Sequence, residues 1–130
     1  MRATLLDTCS LLWWTVDQQR LSPKAKELCG QIEDSTGYVS AVSIWEIGIK
    51  IRNKKIDIGM PFERYVDKIS EISQLIILPT ELDIWVRSVS LDWIHRDPAD
   101  RIIVATAELN DFQILTNDRV ITDFYSKCVF

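Results

Sequence analysis

Four carboxylates stand where a folded chain could gather them: Asp7, Glu46, Asp100 and Asp118. Asp7 ends the apolar run Ala3-Thr4-Leu5-Leu6, Glu46 comes soon after Tyr38-Val39-Ser40, and Asp118 follows Phe112-Gln113-Ile114-Leu115. Asp100 opens an apolar helical stretch, Ile102 to Ala107, that feeds the last of these runs. Carboxylates gathered in a partly desolvated cleft repel one another by several kcal/mol per close pair, so they must take up protons or cations. The chain has one histidine, His95, and its three cysteines (Cys9, Cys29, Cys128) form no C-x-x-C pair. Any metal site must therefore be built mainly of oxygen, which suits hard ions such as Mg²⁺ or Mn²⁺. Two such ions about 4 Å apart can activate a water and stabilise the leaving oxygen in phosphodiester cleavage. No serine–histidine or cysteine–histidine arrangement offers a covalent nucleophile. Gly30, Gly37, Gly48 and Gly59 are isolated, so there is no glycine-rich phosphate loop.

Each acid also has an ordinary structural use. Pro98 suits the first turn of a helix, Asp97 before it is a natural N-cap, and Asp100 then falls at the positive end of the helix dipole. Ser43-x-x-Glu46 fits a capping box, and Glu46 with Lys50 fits a favoured i, i+4 ion pair. From these local patterns alone, capping is the commoner reading of Asp100 and Glu46.

The elements that must position the acids follow from apolar periodicity. Short, nearly all-apolar strands are expected at Ala3–Leu6, Tyr38–Ser40, Leu75–Leu78 and Phe112–Leu115, with Cys128–Phe130 as a possible edge strand. Helices are expected between them: one begun by Thr8 or Ser10, one opened by Ser22-Pro23, and one from Ser43 to Arg52. Others begin at Pro61, behind Thr80 as cap, and at Asp97-Pro98, with a last one from Val120 to Tyr125. Asn110-Asp111 makes the turn into the fourth strand. This order implies an α/β fold: a short central parallel sheet of four or five strands, with helices on both faces. Ligands in such sheets bind beyond the carboxyl ends of the strands, where the four acids fall.

At 130 residues, 47% hydrophobic and 26% charged, the chain reads as one globular domain spanning 1–130. That length buries roughly two-thirds of the unfolded surface. No apolar run approaches the roughly 20 residues of a membrane span. Met1-Arg2 leads straight into a strand-like run, so no signal peptide is expected. The odd, scattered cysteines fit a reducing cytoplasm. A net charge of −4 argues against a sequence-blind nucleic-acid coat protein but not against an enzyme that holds nucleic acid through metal ions. It also suits a basic protein partner.

Four segments together resemble a known family. Leu5-Leu6-Asp7-Thr8, Ser43-Ile44-Trp45-Glu46-Ile47 with Lys50 behind it, His95-Arg96-Asp97-Pro98-Ala99-Asp100-Arg101, and Leu115-Thr116-Asn117-Asp118 look like the signatures of PIN-domain ribonucleases. More narrowly, they are similar to the VapC-type toxins of bacterial toxin–antitoxin pairs. The resemblance spans nearly the whole chain in the right order. It implies a PIN-like single domain and an Mg²⁺- or Mn²⁺-dependent endoribonuclease. Asp7, Glu46, Asp100 and Asp118 would be its catalytic, metal-binding acids. It further implies that Thr116 helps position the site, that RNA is the substrate, that a cognate antitoxin inhibits the chain, and that the chain forms a homodimer.

Arg96 and Arg101 could meet RNA phosphates or pair with neighbouring acids. His95 reads as a loop residue rather than a general base, and Asp97 as the N-cap rather than a ligand. One of Trp13 and Trp14 should face the core. The other, with Ile44 and Trp85, could form a groove for an antitoxin peptide, although most large apolar residues serve the core. Three alternatives compete with this reading. A response-regulator-like signalling module should have an acidic neighbour beside Asp7 and a lysine after its last strand, and this chain has neither. A catalytically inactive PIN-like binding domain should lack some of the four acids. An aspartyl phosphatase would want a second acid where Cys9 stands.

Overall fold

The structure, a computed structural model, describes residues 2–130. Five strands pair in parallel: β1 (Thr4–Leu6), β2 (Gly37–Ser40), β3 (Leu75–Leu78), β4 (Gln113–Leu115) and β5 (Cys128–Val129), in the order β3-β2-β1-β4-β5. The expected edge strand is therefore present as β5. The first strand lies at the centre and is buried along its length. Successive strand side chains point to opposite faces, and this alternation divides the core. Leu6, Val39 and Leu115 belong to one cluster, Leu5 and Ile114 to the other.

Seven helices cover these two faces. Helices α1 (Thr8–Val16), α2 (Pro23–Asp34), α3 (Ala41–Arg52) and α4 (Phe62–Ser70) bury Leu11, Leu28, Ile47 and Tyr65 against the Leu6 face. A 3-10 turn at Gln18–Arg20 joins the first two. Helices α5 (Leu82–Ser90), α6 (Pro98–Asn110) and α7 (Arg119–Thr122) supply Ile84, Ile103 and Ile121 to the Leu5 face. Every residue of α6 from Ile102 to Ala107 is buried, as its continuous apolar sequence demands. Asp111 ends that helix in the left-handed region at φ 54°, a conformation asparagine and aspartate tolerate better than most residues.

Several helix starts differ from the sequence expectation. Asp7, not Thr8 or Ser10, caps α1, its Oδ1 accepting the Ser10 N–H at 2.8 Å. Ser40, not Ser43, caps α3, so Glu46 lies in the second turn and makes no capping box. The reason is common to both: strand passes into helix with no intervening loop, and the last extended residue is the one free to cap. Ser43 is instead buried, its Oγ accepting the Thr8 hydroxyl at 3.0 Å. Glu81 rather than Thr80 precedes α5, without a side-chain cap. The last helix stops at Thr122, and Tyr125 turns inward to donate its hydroxyl to the Phe112 carbonyl at 2.6 Å. Trp14 is buried, while Trp13 is half-buried with its ring edge-on to Phe130.

Candidate metal centre

Parallel pairing brings the carboxyl ends of all five strands to one end of the molecule. Asp7 stands directly after β1, where its own N–H continues the ladder to the Leu115 carbonyl at 3.2 Å. Its side chain is only 4% exposed. While Oδ1 caps α1, Oδ2 accepts the Thr116 hydroxyl at 2.5 Å. The same Thr116 oxygen accepts the Asp118 N–H at 3.0 Å, so one buried hydroxyl ties two acid-bearing segments together. Burial pushes the Asp7 carboxyl pKa up, helped by the charge of Asp118 and opposed by the bonds from Thr116 and Ser10. Asp118 itself caps α7 through Oδ1.

Asp100 sits in the first turn of α6, whose N-cap is Asp97, as the sequence predicted; the Asp100 N–H meets Asp97 Oδ1 at 2.9 Å. His95 Nε2 lies 2.7 Å from Asp100 Oδ2. Burial raises the Asp100 pKa to about 6; the charges of Asp97 and Glu46 add to this and the His95 bond works against it. Glu46 is half-buried and has Lys50 Nζ at 3.9 Å, the i, i+4 pair that the spacing predicted.

These acids share one electrostatic environment. Asp118 acts on Asp7, and Glu46 acts on Asp100. The Cys9 thiol, pushed up first by burial, also feels Asp7, Lys50, Glu46 and Asp118. Asp7 and Asp118, and likewise Asp100 and Glu46, therefore lie near enough to feel each other's charge. They do not close into a tight cage. Among the described residues, the one trio of potential ligands whose donor atoms all lie within 4.8 Å of one another is His95, Asp97 and Asp100. Sequence reasoning missed the contact of His95 with Asp100; the signal was its place just ahead of an Asp-Pro helix start. It also missed Cys9 beside these acids.

The Arg101 expectation is corrected. All five guanidinium N–H groups donate to backbone carbonyls: Nε to Ser88, one terminal nitrogen to Trp93 and His95, the other to Val89 and Leu91, at 2.7–3.3 Å. With five donors in total, none remains for an RNA phosphate. The last turn of α5 and the loop after it offer a ring of carbonyls left without strand or helix partners, and Arg101 fills it. Arg96 is exposed.

A hard divalent cation fits this donor set. The carboxyl end of the sheet presents carboxylate and hydroxyl oxygens. Among the described residues, no lysine or arginine pairs with Asp7, Asp100 or Asp118. A buried carboxylate without a counter-charge is what such an ion neutralises.

A five-stranded parallel sheet with helices on both faces defines an α/β protein, here with acids after the carboxyl ends of its strands. Residues 4–127 match the PIN domain family, and the chain belongs to that family. It is thus not a response-regulator-like module. Ribonuclease VapC22 of Mycobacterium tuberculosis is 28% identical over 121 residues, covering 92% of this chain and 89% of that protein. A toxin-antitoxin complex from Klebsiella pneumoniae contains a chain of the same fold, with TM-score 0.66 and 20% identity over 98% of this chain and 97% of that one. FitAcB from Neisseria gonorrhoeae does too, with TM-score 0.64 and 18% identity over 98% of this chain and 96% of that one. No helix among the described residues is long and apolar enough to cross a membrane.

Proposed function

We propose that this chain is an Mg²⁺- or Mn²⁺-dependent endoribonuclease and the toxin of a toxin–antitoxin pair. The observation that carries the reading is Asp7, a buried carboxylate at the carboxyl end of the central strand with no cationic partner among the described residues. In this reading Asp100, Glu46 and Asp118 join it around one metal-binding crevice. Divalent metal bound there would supply an activated water and a counter-charge for the scissile phosphate. The chain's own residues do the rest. Thr116 holds Asp7 in one orientation by its hydrogen bond. Asp118, held at the start of α7 by its cap, and Glu46, paired with Lys50 at 3.9 Å, would complete the ligand set. Arg96, exposed beside His95 and Asp97, is free to meet the RNA backbone.

The similarity to a protein named a ribonuclease, and to the fold found in a toxin-antitoxin complex, supports the assignment. The apolar surface supports partners. Trp45 and Trp85, each at least half exposed, flank a groove floored by Val42 and Ile102, which we assign to the antitoxin. Ile44, expected in that groove, instead packs into the core with Trp13. Leu82, Val86 and Val89 form an exposed stripe on α5, which we assign to a homodimer contact. An RNA-cleavage assay tests the enzyme. Wild type should cleave with Mg²⁺ or Mn²⁺, and both EDTA and Asp100→Asn should abolish cleavage while circular dichroism stays native. Full activity in EDTA would refute metal dependence.

A further inference from the structure

His95 has no part in the reading above, yet its side chain meets the Asp100 carboxylate. Its ring lies against Trp93, with centroids 4.9 Å apart, and Trp93 stacks on Phe124 at 4.6 Å and 11°. The carbonyls of Trp93 and His95 are both gripped by Arg101, at 2.7 and 2.8 Å. The imidazole is thus held on one side by an aromatic stack and through its backbone by an arginine clamp. Its remaining freedom is taken up by the 2.7 Å contact of Nε2 with Asp100 Oδ2.

We infer that His95 is a positioning residue: its Nε2–H donates to Asp100 Oδ2 and fixes the rotamer in which Asp100 presents its carboxylate to a divalent cation. The inference rests on the metal-centre reading of Asp100. Direct ligation by His95 is the competing geometry, since its Nε2 lies among donors within 4.8 Å. Two facts favour positioning. Hard cations take oxygen in preference to imidazole. Asp97, the third member of that trio, already uses one of its oxygens to cap α6 by accepting the Asp100 N–H. Carboxylate ligands are commonly oriented by such outer partners, and removing one typically weakens metal binding tenfold to a hundredfold.

The test compares Mg²⁺ and Mn²⁺ affinities, measured by calorimetry on folded protein, for wild type, His95→Phe and His95→Gln. Phenylalanine keeps the packing on Trp93 and removes the donor; glutamine restores an amide donor. Expected is a loss of about tenfold to a hundredfold for both ions in His95→Phe, largely rescued in His95→Gln. Because His95 is the chain's single histidine, its ¹⁵N ring signals are unambiguous, and this second arm needs no variant. In wild type saturated with Mg²⁺, Nε2 should keep its proton. Unchanged affinity in His95→Phe would reduce the residue to packing. A loss confined to Mn²⁺, or an Nε2 that sheds its proton on metal binding, would make it a ligand instead; either overturns the inference and leaves the ribonuclease reading standing. Wild type that binds neither ion, or binding indifferent to Asp100→Asn, overturns both.

Discussion

Asp7 and Asp100 carry the same chemical group at the same end of the sheet, but different kinds of structure hold them. Asp7 is fixed by the sheet. Its backbone is part of the ladder, and its partners Ser10 and Thr116 stand on elements the ladder itself sets in register. Asp100 is fixed from a loop. Residues 91–97 form neither strand nor helix, and the loop keeps its shape because one side chain, Arg101, binds its carbonyls. Preorganisation by a sheet is spread over many bonds, whereas preorganisation by a loop here depends on one arginine and one aromatic stack. The two halves of the site should therefore fail in different ways.

The largest effect is expected from Arg101→Met, which keeps the aliphatic bulk and removes five charge-assisted hydrogen bonds. It should cost about 3 kcal/mol or more in urea unfolding, given that each such bond contributes roughly 1.5–3 kcal/mol and the freed carbonyls partly rehydrate. Amide exchange should rise in and beside the loop that holds His95, while the amides of β1 and α1 around Asp7 stay protected. Uniform loss of protection would mean that the two halves are not independent.

Next comes pH dependence without metal. The folded-state pKa of Asp100 is raised to about 6 from 3.8, so between those values the folded protein binds more protons than the unfolded chain. This contribution is complete below about pH 4 and is lost as pH rises through 6. It amounts to at most about 3 kcal/mol. In EDTA, Asp100→Asn should lose less stability than wild type over that window. Asp7, also shifted upward, adds a loss of the same sign. Stability that climbs equally in both proteins from pH 4 to 6 would contradict the burial of Asp100.

Thr116→Val should cost about 1–3 kcal/mol, because it deprives a buried carboxylate of its donor and the Asp118 N–H of its acceptor. The same denaturation measurement on His95→Phe should show a smaller loss, since Asp100 is more exposed than Asp7. The smallest effect is expected from Asp7→Asn. In EDTA it should raise the melting temperature slightly, by no more than about 1 kcal/mol of stability, because a neutral amide relieves the burial of charge and the repulsion from Asp118. With saturating Mg²⁺ the order should reverse. A lower melting temperature in EDTA would count against a cleft of mutually repelling acids.

Much of the fold could be read along the chain. Apolar runs such as Leu75–Leu78 marked strands, the unbroken apolar stretch of α6 marked a buried helix, and the Asp97-Pro98 pair marked its start. The rule that parallel strands gather ligands at their carboxyl ends then selected the acids. The sites of misreading have one character. The caps of α1 and α3 moved to Asp7 and Ser40 because strand and helix abut there, and Ser43 left its expected capping role for a partner in α1. Arg101 looked like a phosphate ligand because a free guanidinium and an engaged one are identical in sequence.

Sequence by itself determined which segments become strands and helices, since periodicity and helix-start chemistry act between residues a few positions apart. It determined the oxygen-rich, histidine-poor character of the crevice as well. Only tertiary structure decided that the hydroxyl of Thr116 would meet the carboxylate of Asp7, 109 positions away, or that His95 would face Asp100. Those pairings depend on strand register and on a loop folded around one arginine. Both are set by the packing of the whole core rather than by any local stretch of chain.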